Sequence, residues 1–451
     1  MKELLNDAAA RAAAYLASLD GRRVAPEPDQ IARLQAFADA LQEEPCDASS
    51  VLALLDKYGS PATVASAGGR YFGFVTGGTL PAALAADWLA GAWDQNAGLW
   101  VQSPIAAFLE EVTAGWLRDI FRFPSSCGVG FVTGATMANF SCLTAARHAL
   151  LKRAGWNVEE QGLFGAPEVR VIVGNEVHAS VLKALSLVGF GRNRVIRVPA
   201  DEQGRIRADA LPPLNDRTLV CIQAGNVNTG AFDPAKETCL RARKSGAWVH
   251  VDAAFGLWAA AAPRREHLLN GFTEADSWAT DCHKWLNVPY DSGLAFVRKA
   301  DHLRNAMALS GAYLQFSDQR DGTQFTPEAS RRARGIEIWA ALKSLGRRGL
   351  AEMIERNCRL AERFAHELRR AGYSILNDVV LNQVLVSFGD AATTRRVIAD
   401  LQSDGSCWCG GTEWQGHTAM RISVSSWATT EADVDYSLAA ILRIAKAAHS
   451  R

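Results

Sequence analysis

The chain has 451 residues, 48% of them apolar and 21% charged, and Lys+Arg equals Asp+Glu at 48 each. That composition suits a soluble globular protein of two or three packed units, and its neutral balance gives no electrostatic reason to bind nucleic acid or an anionic membrane. No apolar run reaches the roughly 18 residues of a membrane span, since even Leu80–Trp93 carries Asp87.

The N-terminus, MKELLNDAAARAAAYLASL, has early acidic residues and recurring apolar positions. It reads as an amphipathic helix, not a signal peptide. Residues up to about 85 look helical, ending in the Gly-rich, turn-forming stretch Ala67–Gly78. Helical periodicity resumes over Ala82–Phe121 and restarts at Ser103-Pro104, where proline suits a first turn. Within this part the cluster Tyr71-Phe72-Gly73-Phe74-Val75-Thr76, with Trp100 beyond it, reads either as core or as a pocket wall. Phe74, Thr76 and Trp100 are therefore substrate-contact candidates.

Short apolar strands then alternate with helices. Strands are expected at Val129–Thr133, Val169–Val173, Val195–Val198, Leu219–Gln223, Trp248–Val251, Ser277–Thr280 and Gly293–Val297, with helices over Thr136–Leu150 and Ala179–Leu187. Such alternation predicts an α/β domain with a mostly parallel sheet and helices on both faces. In these sheets chemistry gathers at the carboxyl ends of strands, where Thr133, Asn226, Asp252 and Lys284 fall. A helical pattern over Glu328–Leu345 and Leu350–Ala371 follows. Strands near Gln383–Phe388 and Ala419–Val424 and a helix over Glu431–Ala448 complete a smaller α+β unit. The expected division is 1–85, an N-terminal helical segment; 86–335, the large domain; and 336–451, the small domain.

The nine cysteines are odd in number and mostly embedded in apolar surroundings. Cys407 and Cys409 match neither a zinc knuckle nor a CxxC site. Reduced thiols, a cytoplasmic location and no metal site are expected.

Chemistry concentrates between His250 and Val297. Asp252 ends an apolar run, and Ala253, Ala254 and Gly256 leave room beside it for a planar ligand; aspartates also end strands simply as turn residues. Lys284 follows His283 among Trp285, Leu286 and Pro289, surroundings that predict partial burial and a lowered, nucleophilic amine; a solvated surface lysine is the ordinary alternative. A strand-end carboxylate and a downstream lysine are what an enzyme needs to hold pyridoxal phosphate. The lysine forms the imine, and the carboxylate keeps the ring nitrogen protonated. Upstream, Thr133-Gly134-Ala135-Thr136 lies between strand and helix, where backbone N–H groups can approach a phosphate; a plain capped turn would look the same. His178, in the context HxSxxKA, can lie on the ring or move protons, or it can cap the following helix.

The order TGAT, HxS, HVDAAFG and HKW, with SRRARGIEIW at Ser330–Trp339 and RISVSSWATTEADVD at Arg421–Asp435, resembles the group II pyridoxal-phosphate-dependent amino-acid decarboxylases. That family includes the aromatic-L-amino-acid, histidine and glutamate decarboxylases. The resemblance covers nearly the whole chain and implies a fold-type I, aspartate-aminotransferase-like homodimer, with N-terminal helices embracing the partner and the site near the interface. It implies phosphate contacts from Ala135, Thr136, Asp281 and His283, stacking by His178, Asp252 at the pyridinium nitrogen, and Lys284 as the internal aldimine. Thr76 falls where relatives touch substrate.

Two departures stand out. Gly225-Asn226-Val227 replaces a Gly-Thr-Thr, so Asn226 or another group must serve the cofactor's phenolic oxygen. The stretch Gln315–Ala329, which corresponds to a mobile loop bearing a tyrosine, has Phe316 and Phe325 but no tyrosine; Tyr313 lies just before it. In the family, loss of that tyrosine diverts the reaction toward oxygen-dependent deamination to an aldehyde. The expected reaction is decarboxylation of an L-amino acid, with an aromatic side chain favoured by the aromatic wall. Rivals are an aldehyde synthase, an aldolase-type lyase or an aminotransferase on the same scaffold, and a catalytically silent cofactor-binding protein.

Overall fold

Seven strands make the central sheet of the computed structural model, which describes residues 1–309, 315, 316 and 318–450. They are β1 (Gly128–Val132), β2 (Arg170–Gly174), β3 (Ile196–Val198), β4 (Thr218–Gln223), β5 (Trp248–Asp252), β6 (Ser277–Asp281) and β7 (Gly293–Val297). Their order is β1-β7-β6-β5-β4-β2-β3. β2 through β6 pair in parallel, and β7 runs against both neighbours. Every residue of β1, β4, β5, β6 and β7 is buried. Near-continuous apolar runs such as Leu219–Ile222 are what a sheet covered on both faces requires.

The helix Ala135–Arg153 packs across the sheet and against the helix Ala179–Leu187. A second, antiparallel sheet holds β8 (Ser374–Ile375), β9 (Gln383–Ser387), β10 (Gly410–Trp414) and β11 (His417–Ser423) in the order β10-β11-β9-β8. Its core is backed by the helices Ala391–Asp404 and Glu431–His449.

Two helical expectations need correction. The helix expected from Glu328 begins at Gly335 and runs to Arg370, with a kink where Gly346 adopts φ 58°. Residues 328–334 are held out of helix by tertiary contacts: Asn96 bridges to Arg332, and the buried Arg331 guanidinium reaches Ala97, Phe131 and Glu110. The long helix serves both cores, Ile338–Cys358 facing the large sheet and Leu360–Leu368 the small one. At the N-terminus, helices cover Lys2–Ser18, Pro28–Ala32 and Ala48–Ala62, but residues 63–80 are not helical.

None of these three helices buries a residue. Their apolar groove, lined by Leu16, Leu52, Leu55 and Trp88 among others, stays open. Among the described residues no helix is long and apolar enough to cross a membrane, and no cluster of three or more His, Cys, Asp or Glu could hold a metal ion. All nine cysteines are free thiols; eight are buried, and Cys46 is exposed.

Candidate active site

A cavity of about 390 Å³ opens at the carboxyl ends of the parallel strands, a size typical of small-molecule sites. Strand β5 delivers Asp252 to it and β6 delivers Asp281, and the turn after β6 brings His283 and Lys284 back over the sheet. From the other side come the Thr133–Met137 turn, at the start of the helix Ala135–Arg153, and His178 and Ser180, at the start of the helix Ala179–Leu187. Of the expected site residues, Ala135, Thr136, His178, Asp252, Asp281, His283 and Lys284 meet here.

The Lys284 Nζ lies 2.9 Å from Asp281 Oδ2, and Asp281 Oδ1 lies 3.4 Å from His283 Nε2 and accepts the Ala135 N–H. Burial works to lower the Lys284 ammonium. The charge and hydrogen bond of Asp281, with Asp252 behind it, outweigh burial and raise its pKa. The lowered amine expected from the apolar neighbours is therefore corrected: the carboxylate three residues upstream decides the sign.

Burial raises the Asp252 carboxyl, opposed by the charges of His178 and Lys284, and the Ala254 N–H donates to it at 3.3 Å. Asp252 is thus a turn residue and a cavity residue at once. His178 likewise plays both parts open to it: its Nδ1 caps the helix by accepting the Ser180 N–H at 3.2 Å, while its ring lines the cavity. Burial lowers its pKa, as do Lys284 and Arg421, whereas Asp252 and Asp281 pull upward. His283 is also lowered, mainly by burial.

Close packing leaves space only where the chain has glycine. A Cβ on Gly134 would sit 3.0 Å from the His283 ring, and one on Gly77 would collide with the Lys284 carbonyl oxygen. Gly225, at φ 91°, lines the cavity with Val227. Asn226 itself turns away from it: its Oδ1 accepts the Asn228 and Thr229 N–H groups at 2.9 and 3.2 Å, and its buried Nδ2 finds no partner among the described residues.

The substrate-wall candidates lie outside the cavity lining. Phe74 stacks on Trp408 at 5.3 Å, Thr76 Oγ1 lies 3.4 Å from the Tyr290 hydroxyl, and Trp100 donates its backbone N–H to Asp321. Phe74 and Val75 both have left-handed φ, 53° and 59°. Two consecutive non-glycine residues in that region cost on the order of 1–3 kcal/mol each and persist only where packing overrides them. Tyr313 lies outside the described residues.

Two residues near the site were not anticipated. Tyr290 stacks on the His283 ring at 4.3 Å. Arg421, on β11, is held in a setting where burial lowers its pKa, with its NH1 3.4 Å from Asn228 Oδ1. Among the described residues no carboxylate forms an ion pair with it. Its signal was present in RISVSSW, but nothing local says that this arginine points inward.

A family model described as the pyridoxal-dependent decarboxylase conserved domain matches residues 33–389. An aromatic-L-amino-acid decarboxylase of Bacillus atrophaeus is 27% identical over 386 residues, covering 80% of this chain and 78% of that relative. The solved structure of Oryza sativa TDC with PLP and tryptamine superposes with a TM-score of 0.90 at 21% identity, covering 99% of this chain and 97% of that one. A 4-hydroxyphenylacetaldehyde synthase from Rhodiola rosea gives 0.85 at 21% identity, with 99% and 98% covered.

Proposed function

The chain belongs to the pyridoxal-dependent decarboxylase family, and from that premise we propose that it removes CO₂ from an aromatic L-amino acid and releases the amine. One observation carries the reading: Lys284 and Asp252 face a single cavity, beside the Asp281–His283 pair and the helix start at Ala135.

The family's cofactor, pyridoxal phosphate, fits these residues. A primary amine, a buried carboxylate, a flat imidazole and a helix N-terminus are the four partners that its aldehyde, ring nitrogen, ring face and phosphate require. Lys284, Asp252 and His178 would hold the first three, and the Thr133–Thr136 turn with His283 the phosphate. When bound, the group supplies the electron sink that accepts the pair released with CO₂.

The chain's own residues do the rest. Asp281 holds the Lys284 proton and must receive or pass it on before the amine can act. Asp252, in a buried setting, keeps a negative charge only opposite a cation, which suits it to hold a protonated ring nitrogen. Arg421, a half-buried cation without a carboxylate partner among the described residues and close enough for its charge to act on His178, would receive the substrate carboxylate, with His178 as a hydrogen-bond donor in the cavity. The aromatic substrate is supported by the aromatic relatives and by Tyr290, whose ring stacks on the cavity residue His283. A second copy of the chain covering the open N-terminal groove, in a cytoplasmic homodimer, belongs to the same reading.

The tyrosine-free stretch Gln315–Ala329 favours one alternative, an aldehyde synthase, and the Rhodiola rosea likeness shows that such an enzyme shares the fold. A panel of L-amino acids offered to the purified protein, with amine, CO₂, aldehyde and hydrogen peroxide quantified, tests both. Equal amine and CO₂ from aromatic substrates, lost in Lys284→Ala, is the expected result. Aldehyde with peroxide would establish the alternative, and absence of CO₂ from every amino acid would overturn both.

A further inference from the structure

A line of side chains runs from the sheet interior to His178, and its hydrogen bonds all point one way. Trp248 Nε1 lies 3.0 Å from Ser277 Oγ, and Ser277 Oγ lies 2.9 Å from His250 Nδ1. His250 Nε2 lies 2.8 Å from Asn139 Oδ1, Asn139 Nδ2 lies 3.5 Å from Ser180 Oγ, and Ser180 Oγ lies 2.7 Å from His178 Nδ1. Asn139, His250 and Ser277 are fully buried, so no solvent competes for these groups.

We infer that Trp248, Ser277, His250, Asn139 and Ser180 act as positioning residues that fix His178 as a neutral imidazole carrying its proton on Nε2, the nitrogen left for the cavity. The direction follows from groups that can only donate. At one end the Ser180 backbone N–H points at His178 Nδ1, so that nitrogen is an acceptor and cannot carry hydrogen. The Ser180 hydroxyl must then donate to the same nitrogen, which leaves its oxygen to accept from the Asn139 amide NH₂. That orientation turns Asn139 Oδ1 toward His250, whose Nε2 must therefore be the protonated nitrogen. Burial pushes His250 down to about 3, so the ring is neutral and its Nδ1 bare. Ser277 donates to that bare nitrogen and accepts at its own oxygen from the Trp248 indole, which has a donor only. Both ends impose the same polarity, and a flipped Asn139 would break it at two places.

The charged groups acting on His178 do not decide the tautomer by themselves: Lys284 and Arg421 disfavour the imidazolium, Asp252 and Asp281 favour it. The hydrogen-bond line adds a fixed donor on one nitrogen and leaves a fixed donor on the other. Among the described residues nothing in the protein accepts the Nε2 hydrogen. An anionic group in the cavity would do so, and that last use rests on the proposed function. The tautomer does not.

Long-range ¹H–¹⁵N correlation spectra of the full-length enzyme labelled with ¹⁵N-histidine, with and without pyridoxal phosphate, read the ring state directly; His178→Gln assigns the signal. Expected is an Nε2-protonated neutral ring. Asn139→Leu should raise the protonation constant of His178 by about threefold or more, the worth of one hydrogen-bond partner, and should have no such effect in the Ser180→Ala background, because the influence passes through that hydroxyl. An Nδ1-protonated ring, or an equal Asn139→Leu shift in both backgrounds, overturns the inference. Should Asn139→Leu fail to fold, Ser277→Ala at the far end gives the same comparison. Activity enters none of these readouts, so a different reaction would leave them standing.

Discussion

The Lys284 amine lies 2.9 Å from Asp281 Oδ2 and takes its raised pKa from that carboxylate more than from Asp252. The lysine proposed above as the nucleophile is therefore stored as an ion pair. Asp281→Asn removes the partner while leaving the amide able to accept the Ala135 N–H. Cofactor-free Lys284 should then react faster with trinitrobenzene sulfonate at pH 8, by about tenfold for each pKa unit recovered. Peptide mapping of the modified lysine measures this, and an unchanged rate would assign the raised pKa elsewhere.

Arg421 is a half-buried guanidinium that donates to Asn228 Oδ1 at 3.4 Å and has no carboxylate partner among the described residues. Arg421→Met should leave the cofactor's absorbance in place and cost kcat/KM on the order of 10²-fold, the scale of losing one charged hydrogen bond to a ligand. Arg421→Lys should recover only part, because a point charge does not reproduce the planar fork. A loss of cofactor binding instead of substrate use would place the arginine in a different role.

His250 is neutral down to about pH 3 in the folded protein but titrates near 6.5 when unfolded. A depressed histidine contributes stability that is present above 6.5 and is lost as pH falls toward 3. Relative to His250→Gln, the wild type should lose about 3 kcal/mol more stability between pH 7.5 and pH 4.5. Asp233, pushed up to about 7 by burial, contributes with the opposite sign over the same range. Comparing the two proteins by urea unfolding cancels that contribution, and parallel pH curves would show that His250 does not titrate in this way.

Phe316 and Phe325 are not equivalent positions for restoring a loop tyrosine. Phe325 is buried and stacks against the Arg320 and Arg304 guanidinium groups, while Phe316 is 43% exposed. Phe325→Tyr should cost about 1–3 kcal/mol by burying a hydroxyl without a partner, with products unchanged. If the aldehyde branch operates, Phe316→Tyr should shift the aldehyde-to-amine ratio toward amine. Product ratios and thermal unfolding of the two variants separate these effects.

How far the sequence could be read depended on the range of the forces involved. Gly293–Val297 and Ala179–Leu187 keep the bounds their periodicity predicts, because local pattern and burial agree there. Strand β10 was passed over, since it opens with Gly410-Gly411 and is made a strand by pairing with β11. The helix expected at Glu328 starts late because Arg331 is drawn to Glu110, more than two hundred positions away. At the site, Asp252, Lys284 and His178 were legible from residue type and spacing. The sign of the Lys284 shift was not, for it depends on which carboxylate the folded turn brings nearest. Asn139, separated from His250 by 111 positions, gives no local sign that the two share a hydrogen bond.

Burial pushes the thiols of Cys127, Cys239 and Cys358 up to about 12 and closes off five more, leaving Cys46 in the open between the second and third N-terminal helices. The native protein thus carries a single attachment point for a maleimide dye. That point sits in the N-terminal segment that carries the open apolar groove. Energy transfer between dyes on two chains can then report association without removing any other cysteine.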